Sequence, residues 1–183
     1  MTKSKILVVH GAGEGAHEED APLAGFVRSL ADDPASVAYP EIKGLETLNW
    51  SLAATELKAA ITNRAEGCKL VAHSLGGAAV LKLLSQGIRA PRIGGLFLIA
   101  TPYKCKDGEW GSDDFALEND FADRLPDVGT IYLYHGGDDD CVPVDHVERY
   151  AKKLKHAQVR VVDGQGHQFT SRRFDELATD LRV

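Results

Sequence analysis

Lys69-Leu70-Val71-Ala72-His73-Ser74-Leu75-Gly76-Gly77 carries an apolar strand into a helix through a serine set among small residues, and the helix continues at once as Ala-Ala-Val-Leu-Lys-Leu-Leu. A serine at such a junction sits on a tight strand-to-helix turn, with its hydroxyl exposed and the first N–H groups of the helix beside it. That setting turns a hydroxyl into a nucleophile. The turn draws the flanking backbone together, so the positions two before and two after the serine must be small, giving the pattern G-x-S-x-G. Gly76 fills the second position, while Ala72 stands at the first and adds a methyl group. Taken alone, the pentapeptide leaves open a plainer role for Ser74, as the N-cap of a buried helix.

With 183 residues, 44% of them hydrophobic, the chain is expected to form one domain over 1–183 with a sizeable core. The net charge of −6 and the lack of a basic stripe argue against nucleic acid as a partner. The apolar run at 6–9 is too short for a signal-peptide core or a membrane span. Cys68, Cys105 and Cys141 are odd in number and far apart, with the spacing of neither a disulfide framework nor a metal site. These features together predict a cytoplasmic protein without a membrane partner.

Apolar, β-branched runs at 5–9, 36–39, 69–73, 96–100, 130–134 and 158–162 alternate with amphipathic stretches at about 22–31, 48–64, 76–85, 144–155 and 172–181. Continuous apolar runs are the mark of strands covered on both faces in a parallel sheet. Their alternation with helices predicts βαβ units and an α/β, doubly wound architecture. One stretch breaks the rhythm: 101–129, acidic and carrying Tyr103, Trp110, Phe115 and Phe121, is long for a plain connection. It is either a short helix near 114–124 with flanking loops or a small cap over the strand ends, with Trp110 or Phe115 lining a substrate pocket.

Functional groups in parallel sheets collect at the carboxyl ends of the strands. The first strand ends in His10-Gly11-Ala12-Gly13, the fifth in His135-Gly136-Gly137-Asp138-Asp139-Asp140-Cys141-Val142-Pro143, and the sixth in Asp163-Gly164-Gln165-Gly166-His167. The glycine turn can aim backbone N–H groups at an oxyanion. The expected donors are Ala12 N–H and, after the nucleophile, Leu75 N–H. His10 and Gly11 join Trp110 and Phe115 as candidate substrate-binding residues, although the rings of His10 and His135, each opening a His-Gly turn, are expected to brace loop backbone more than to contact substrate. His73 is expected to pack or hydrogen-bond beneath the turn, and His146 and His156 to lie on the surface. His17 falls on the glycine-rich loop. No histidine pair has the helical spacing of a zinc site.

In this order the four motifs resemble those of the α/β-hydrolases. In size and layout the chain is similar to small serine hydrolases of the retinoblastoma-binding-protein-nine type. The resemblance implies a single α/β-hydrolase domain of about six mostly parallel strands, helices on both faces and no large lid domain. It places the acid in H-G-x-x-D-x-x-V-P, where His135, Gly136, Val142 and Pro143 set the register on Asp139, with Asp138 as the alternative. It implies that Ser74 attacks an acyl carbonyl, His167 moves the proton and Asp139 orients the imidazole, with no cofactor and no metal. The expected partner is a small-molecule acyl substrate, a short-chain ester first, then an amide or peptide, then a thioester. Protein partners and oligomeric state leave no mark in the sequence.

Two other classes compete. Gly11-Ala12-Gly13-Glu14-Gly15-Ala16 after a strand matches the dinucleotide fingerprint G-x-G-x-x-A, with Glu41 a poor candidate for the ribose carboxylate. A partner-binding protein could also be built on a hydrolase scaffold, since fold alone does not fix function.

Overall fold

A computed structural model describes residues 5–170 and 173–182. Six strands, β1 (Ile6–Val9), β2 (Val37–Ala38), β3 (Cys68–His73), β4 (Ile93–Ile99), β5 (Val128–Gly136) and β6 (Gln158–Val162), form one sheet in the order β2-β1-β3-β4-β5-β6. Every neighbouring pair is parallel. The α-helices are α1 (Ala16–Glu19), α2 (Ala21–Leu30), α3 (Lys43–Glu46), α4 (Trp50–Thr62), α5 (Ser74–Ser85), α6 (Asp145–Lys153) and α7 (Asp175–Asp180). In the dinucleotide-binding fold the third strand lies outside the second. Here β3 lies against β1, on the side away from β2.

Successive side chains on a strand point to opposite faces, and this splits the core in two. Leu7, Val9, Leu70, Ala72, Leu96, Leu98 and Leu133 share one cluster with Leu57 and Ile61 of α4, Leu81 and Leu84 of α5, and Val147 and Tyr150 of α6. Val8, Val71, Phe97, Ile99, Tyr132 and Tyr134 share the other with Leu23 and Val27 of α2 and Leu177 of α7. Burial on both faces explains why the central strands read as unbroken apolar runs. Among the described residues no helix is long and apolar enough to cross a membrane. Cys68 and Cys105 are buried and Cys141 is exposed, all three as free thiols.

The differences from the sequence reading have local causes. β4 and β5 begin earlier than expected, at Ile93 and Val128, through glycines that a propensity reading excludes from strands. Those glycines are there because neighbouring chains pass too close for a side chain. A Cβ on Gly94 would lie 2.3 Å from the Gly67 carbonyl oxygen, and one on Gly129 would lie 2.2 Å from that of Gly94. Helix α4 starts at Trp50 because the Asn49 side chain caps it, accepting from Leu52 N–H at 3.0 Å. Helix α7 is shorter than expected. Arg172, where it was expected to begin, lies outside the described residues. The short helices α1 and α3 were not anticipated.

The segment 101–129 does not form a helix over 114–124. It has a single 3₁₀ turn, Phe121–Arg124, and a bridge between Cys105 and Leu117. Cys105, Phe115, Leu117 and Phe121 drop into the cluster shared with α4–α6, so its apolar side chains hold it to the body of the domain. This accounts for its aromatic content.

Two glycines give a stability test of opposite sign. Gly94→Ala should cost about 1–3 kcal/mol, because the added carbon meets backbone that cannot yield. Gly25→Ala, on an exposed turn of α2 with nothing within 4 Å, should gain about 0.5–1 kcal/mol. Urea denaturation of the two variants measures both.

Candidate active site

The carboxyl ends of β1, β3, β5 and β6 bring together the four motifs. At the β3–α5 junction Ser74 has φ 50, a left-handed conformation that costs a non-glycine residue of order 1 kcal/mol or more. That conformation persists because the surroundings fix it. A Cβ on Gly76 would lie 2.1 Å from the His10 carbonyl oxygen, and one on Gly77 would lie 2.1 Å from Thr101 Oγ1. The helix therefore packs directly onto the ends of β1 and β4. Ala72, fully buried, fits its methyl group into the α4–α6 side of the core, so the irregular first position of the pentapeptide is accommodated.

Ser74 and His167 are both partly accessible, with Ser74 Oγ 3.1 Å from His167 Nε2. His167 Nδ1 lies 2.9 Å from Asp139 Oδ2 and 3.1 Å from Oδ1. An ionised carboxylate only accepts, so Nδ1 carries the proton and Nε2 is left to accept from the serine hydroxyl. Asp139 is itself held firmly. Its Oδ1 accepts from the backbone N–H groups of Cys141 and Val142, each at 2.9 Å. Burial pushes its acidity in the unfavourable direction, but the His167 hydrogen bond and the two N–H donors outweigh it and hold the carboxyl below the ordinary aspartate value. Asp138 points its backbone elsewhere, donating to the Gln165 carbonyl at 3.0 Å, and has no such contact with His167.

The two N–H groups expected as oxyanion donors lie on the Gly-rich turn after β1 and at the start of α5. Leu75 N–H belongs to the first turn of α5, where helices leave N–H groups without an internal acceptor. Ala12 is half-buried, and its N–H finds no acceptor among the described residues. Gly11 is pressed against Ser74: a Cβ there would lie 3.3 Å from Ser74 Cβ.

Other candidates are placed differently. His10 is fully buried; its Nε2 accepts from Ile42 N–H and its Nδ1 donates to the Gly11 carbonyl, both at 2.9 Å. It braces the turn and has no nitrogen left for a substrate. Phe115 is core, 3% exposed and edge-on to Trp50. Trp110 is half-buried, its ring 4.6 Å from that of His146. His146, expected on the surface, is buried and accepts from Tyr103 N–H at 2.9 Å. His135 donates through Nε2 to the Val142 carbonyl at 2.8 Å, bracing the acid loop. His17 stacks on Tyr39, ring centres 4.4 Å apart.

Asp20 was missed. It is 3% exposed, accepts from Gly11 N–H at 2.7 Å, and lies 2.8 Å from His73 Nδ1. Nothing in the local sequence flags it, because the contacts join α2 to β1 and β3. Donor atoms of Asp139, Cys141 and His167 come within 4.8 Å of one another, but the Asp139 oxygens are filled by N–H donors and the imidazole lies between Asp139 and Ser74. These groups serve one another.

This sheet order, with a serine on the strained turn after β3 and an acid and a histidine after later strands, defines an α/β-hydrolase. The serine hydrolase family profile matches residues 33–180, and the chain belongs to that family. No curated protein matches it significantly. Among solved structures it is similar to 2-hydroxy-6-oxo-6-phenylhexa-2,4-dienoate hydrolase from Rhodococcus sp., with 17% identity, TM-score 0.69, and coverage of 98% of this chain and 89% of that one. It is also similar to the esterase RhEst1 from Rhodococcus sp., with 16% identity, TM-score 0.68, and coverage of 98% and 89%. A third, SOBER1 from Arabidopsis thaliana, has 15% identity, TM-score 0.65, and coverage of 97% of each chain. At these identities the likeness is one of fold.

Because the folded site holds the Asp139 carboxyl below its ordinary pKa, the stability of the fold depends on pH. A carboxyl depressed in the folded state stabilises above its unfolded value, and that contribution is lost as pH falls through the folded value. Asp139→Asn should therefore be less stable than the parent at pH 7, and the gap should close below about pH 4. Thermal melts at a series of pH values measure it.

Proposed function

We propose that the protein hydrolyses small carboxylic esters through an acyl-enzyme, with Ser74 as nucleophile, His167 as general base and then general acid, and Asp139 as the group that orients and balances the imidazole. The observation that carries this is the continuous chain of hydrogen bonds from Ser74 Oγ to His167 Nε2 and from His167 Nδ1 to Asp139. In the first half-reaction Ser74 Oγ bonds to the carbonyl carbon, and its proton passes to Nε2. The tetrahedral oxyanion is received by the Ala12 and Leu75 N–H groups. Its collapse expels the alcohol, which takes the proton from Nε2. Water then repeats the sequence, releasing the acid and restoring the serine.

Family membership supports hydrolysis as the reaction class. The small size and the packing of 101–129 into the body of the domain favour a compact, accessible ester over a lipid aggregate. The length and motif order likewise support a place among small hydrolases of the retinoblastoma-binding-protein-nine type.

Steady-state kinetics on p-nitrophenyl esters of graded chain length, with aminoacyl amides alongside, test the substrate class. Turnover should be greatest on short acyl chains, and absence of turnover on every ester would overturn that assignment. In Ser74→Ala, kcat/KM should fall by about four orders of magnitude or more, with an unchanged melting profile.

A further inference from the structure

Two histidines one strand apart are held in opposite ways. His10 Nε2 accepts a backbone N–H, so that ring is neutral. His73 meets only acceptors: Asp20 Oδ2 at 2.8 Å from Nδ1, and the His167 carbonyl oxygen at 2.9 Å from Nε2. A carbonyl cannot donate, so Nε2 carries a proton. Asp20 Oδ2 already accepts from Gly11 N–H at 2.7 Å, as a carboxylate would, so Nδ1 carries a proton as well. His73 and Asp20 are 2% and 3% exposed, which shields the pair from competing water.

We propose that Asp20 and the His73 imidazolium form a buried positioning pair that locks three parts of the active site to one another, and that loss of the His73 proton unlocks them. Asp20 fixes Gly11 beside the oxyanion donor Ala12. His73 immediately precedes Ser74 and holds the main chain of His167. A neutral imidazole has one N–H for two acceptors. Once His73 is neutral, either the Asp20 contact or the His167 contact therefore becomes lone pair against lone pair. Breaking the first frees the oxyanion turn, and breaking the second frees the base. A misplacement of 1 Å in such groups costs about a hundredfold in rate.

The titratable groups around the pair agree with this charge state. Burial disfavours the His73 charge, but Asp20 in direct contact, the His167 carbonyl and Asp139 across the site outweigh it and raise its pKa above the ordinary histidine value. Burial pushes the Asp20 pKa up, while the His73 contact and the Gly11 N–H bring it to a net lowering. Tyr39, the remaining group that feels Asp20, is pushed above the ordinary phenol range by burial and then by that carboxylate. Ring centres of His73 and His167 are 4.9 Å apart, so the imidazolium is close to the base it positions.

The kinetic part rests on the serine-hydrolase assignment above; the protonation state does not. Nitrogen-15 NMR of the imidazoles in full-length protein and in Ser74→Ala should show both His73 nitrogens protonated at pH 7. A His73 ring with one bare nitrogen in Ser74→Ala would overturn the pair even if the parent hydrolyses esters. An inactive parent with a doubly protonated His73 would instead sink the activity and leave the pair. For ester hydrolysis, Asp20→Asn should lower kcat about tenfold to a hundredfold, with KM within about threefold. It should also move the alkaline fall of kcat to lower pH, because the contact that raises His73 is gone. His73→Gln keeps a donor within reach of the His167 carbonyl and carries no proton to lose, so its kcat should recover part of that loss and show no such fall. Variant pH profiles superimposable on the parent's, with only melting temperature changed, would reduce the pair to a structural role.

Discussion

The seating of Gly76 on the His10 carbonyl is the contact on which the rest of the site depends. A side chain at that position would collide with backbone at 2.1 Å, so only glycine lets α5 start directly above the end of β1. That approach places the first N–H groups of α5 beside the Gly11–Gly13 turn, and it obliges Ser74 to take up its left-handed φ of 50. The backbone strain is small compared with the burial of α5, most of whose residues lie in the core. The same packing that stabilises the domain therefore presents the serine.

Polar groups behind the serine are satisfied by a second arrangement independent of the first. Asp139 is fixed by its own loop through two backbone N–H donors, whereas His167 is held from two sides, by Asp139 at Nδ1 and by His73 at its carbonyl. A buried charge is costly unless it is paired. Here Asp20 and His73 neutralise each other, and Gly11 N–H fills the carboxylate further. The architecture thus uses buried charge to align loops that otherwise belong to four different strands.

Part of this was legible in the sequence because it is local: the strand–serine–helix junction and the continuous apolar runs depend on neighbours in the chain, whereas the register of His135-Gly136 with Val142-Pro143 on Asp139 came only with the family resemblance. What escaped is non-local. Asp20 acquires its meaning from Gly11 and His73, and His146 is buried because 101–129 folds back to place Tyr103 N–H upon it. Gly94 and Gly129 fell just outside the expected strands but are strand residues, since their lack of side chains answers to adjacent backbones. Phe115 was one of two candidates for lining a pocket beneath a cap, while its edge-on contact with Trp50 in the buried cluster makes it core.

As the proposed nucleophile, Ser74 must bond covalently to the acyl group during turnover. Mixing the protein with a slowly deacylating p-nitrophenyl ester, quenching in acid and mapping the adduct by mass spectrometry tests it most directly. One acyl group per chain is expected, on the peptide containing Ser74, and none in the His167→Ala variant. An acyl group carried instead by the exposed thiol of Cys141, or turnover with no acyl-enzyme at all, would contradict it.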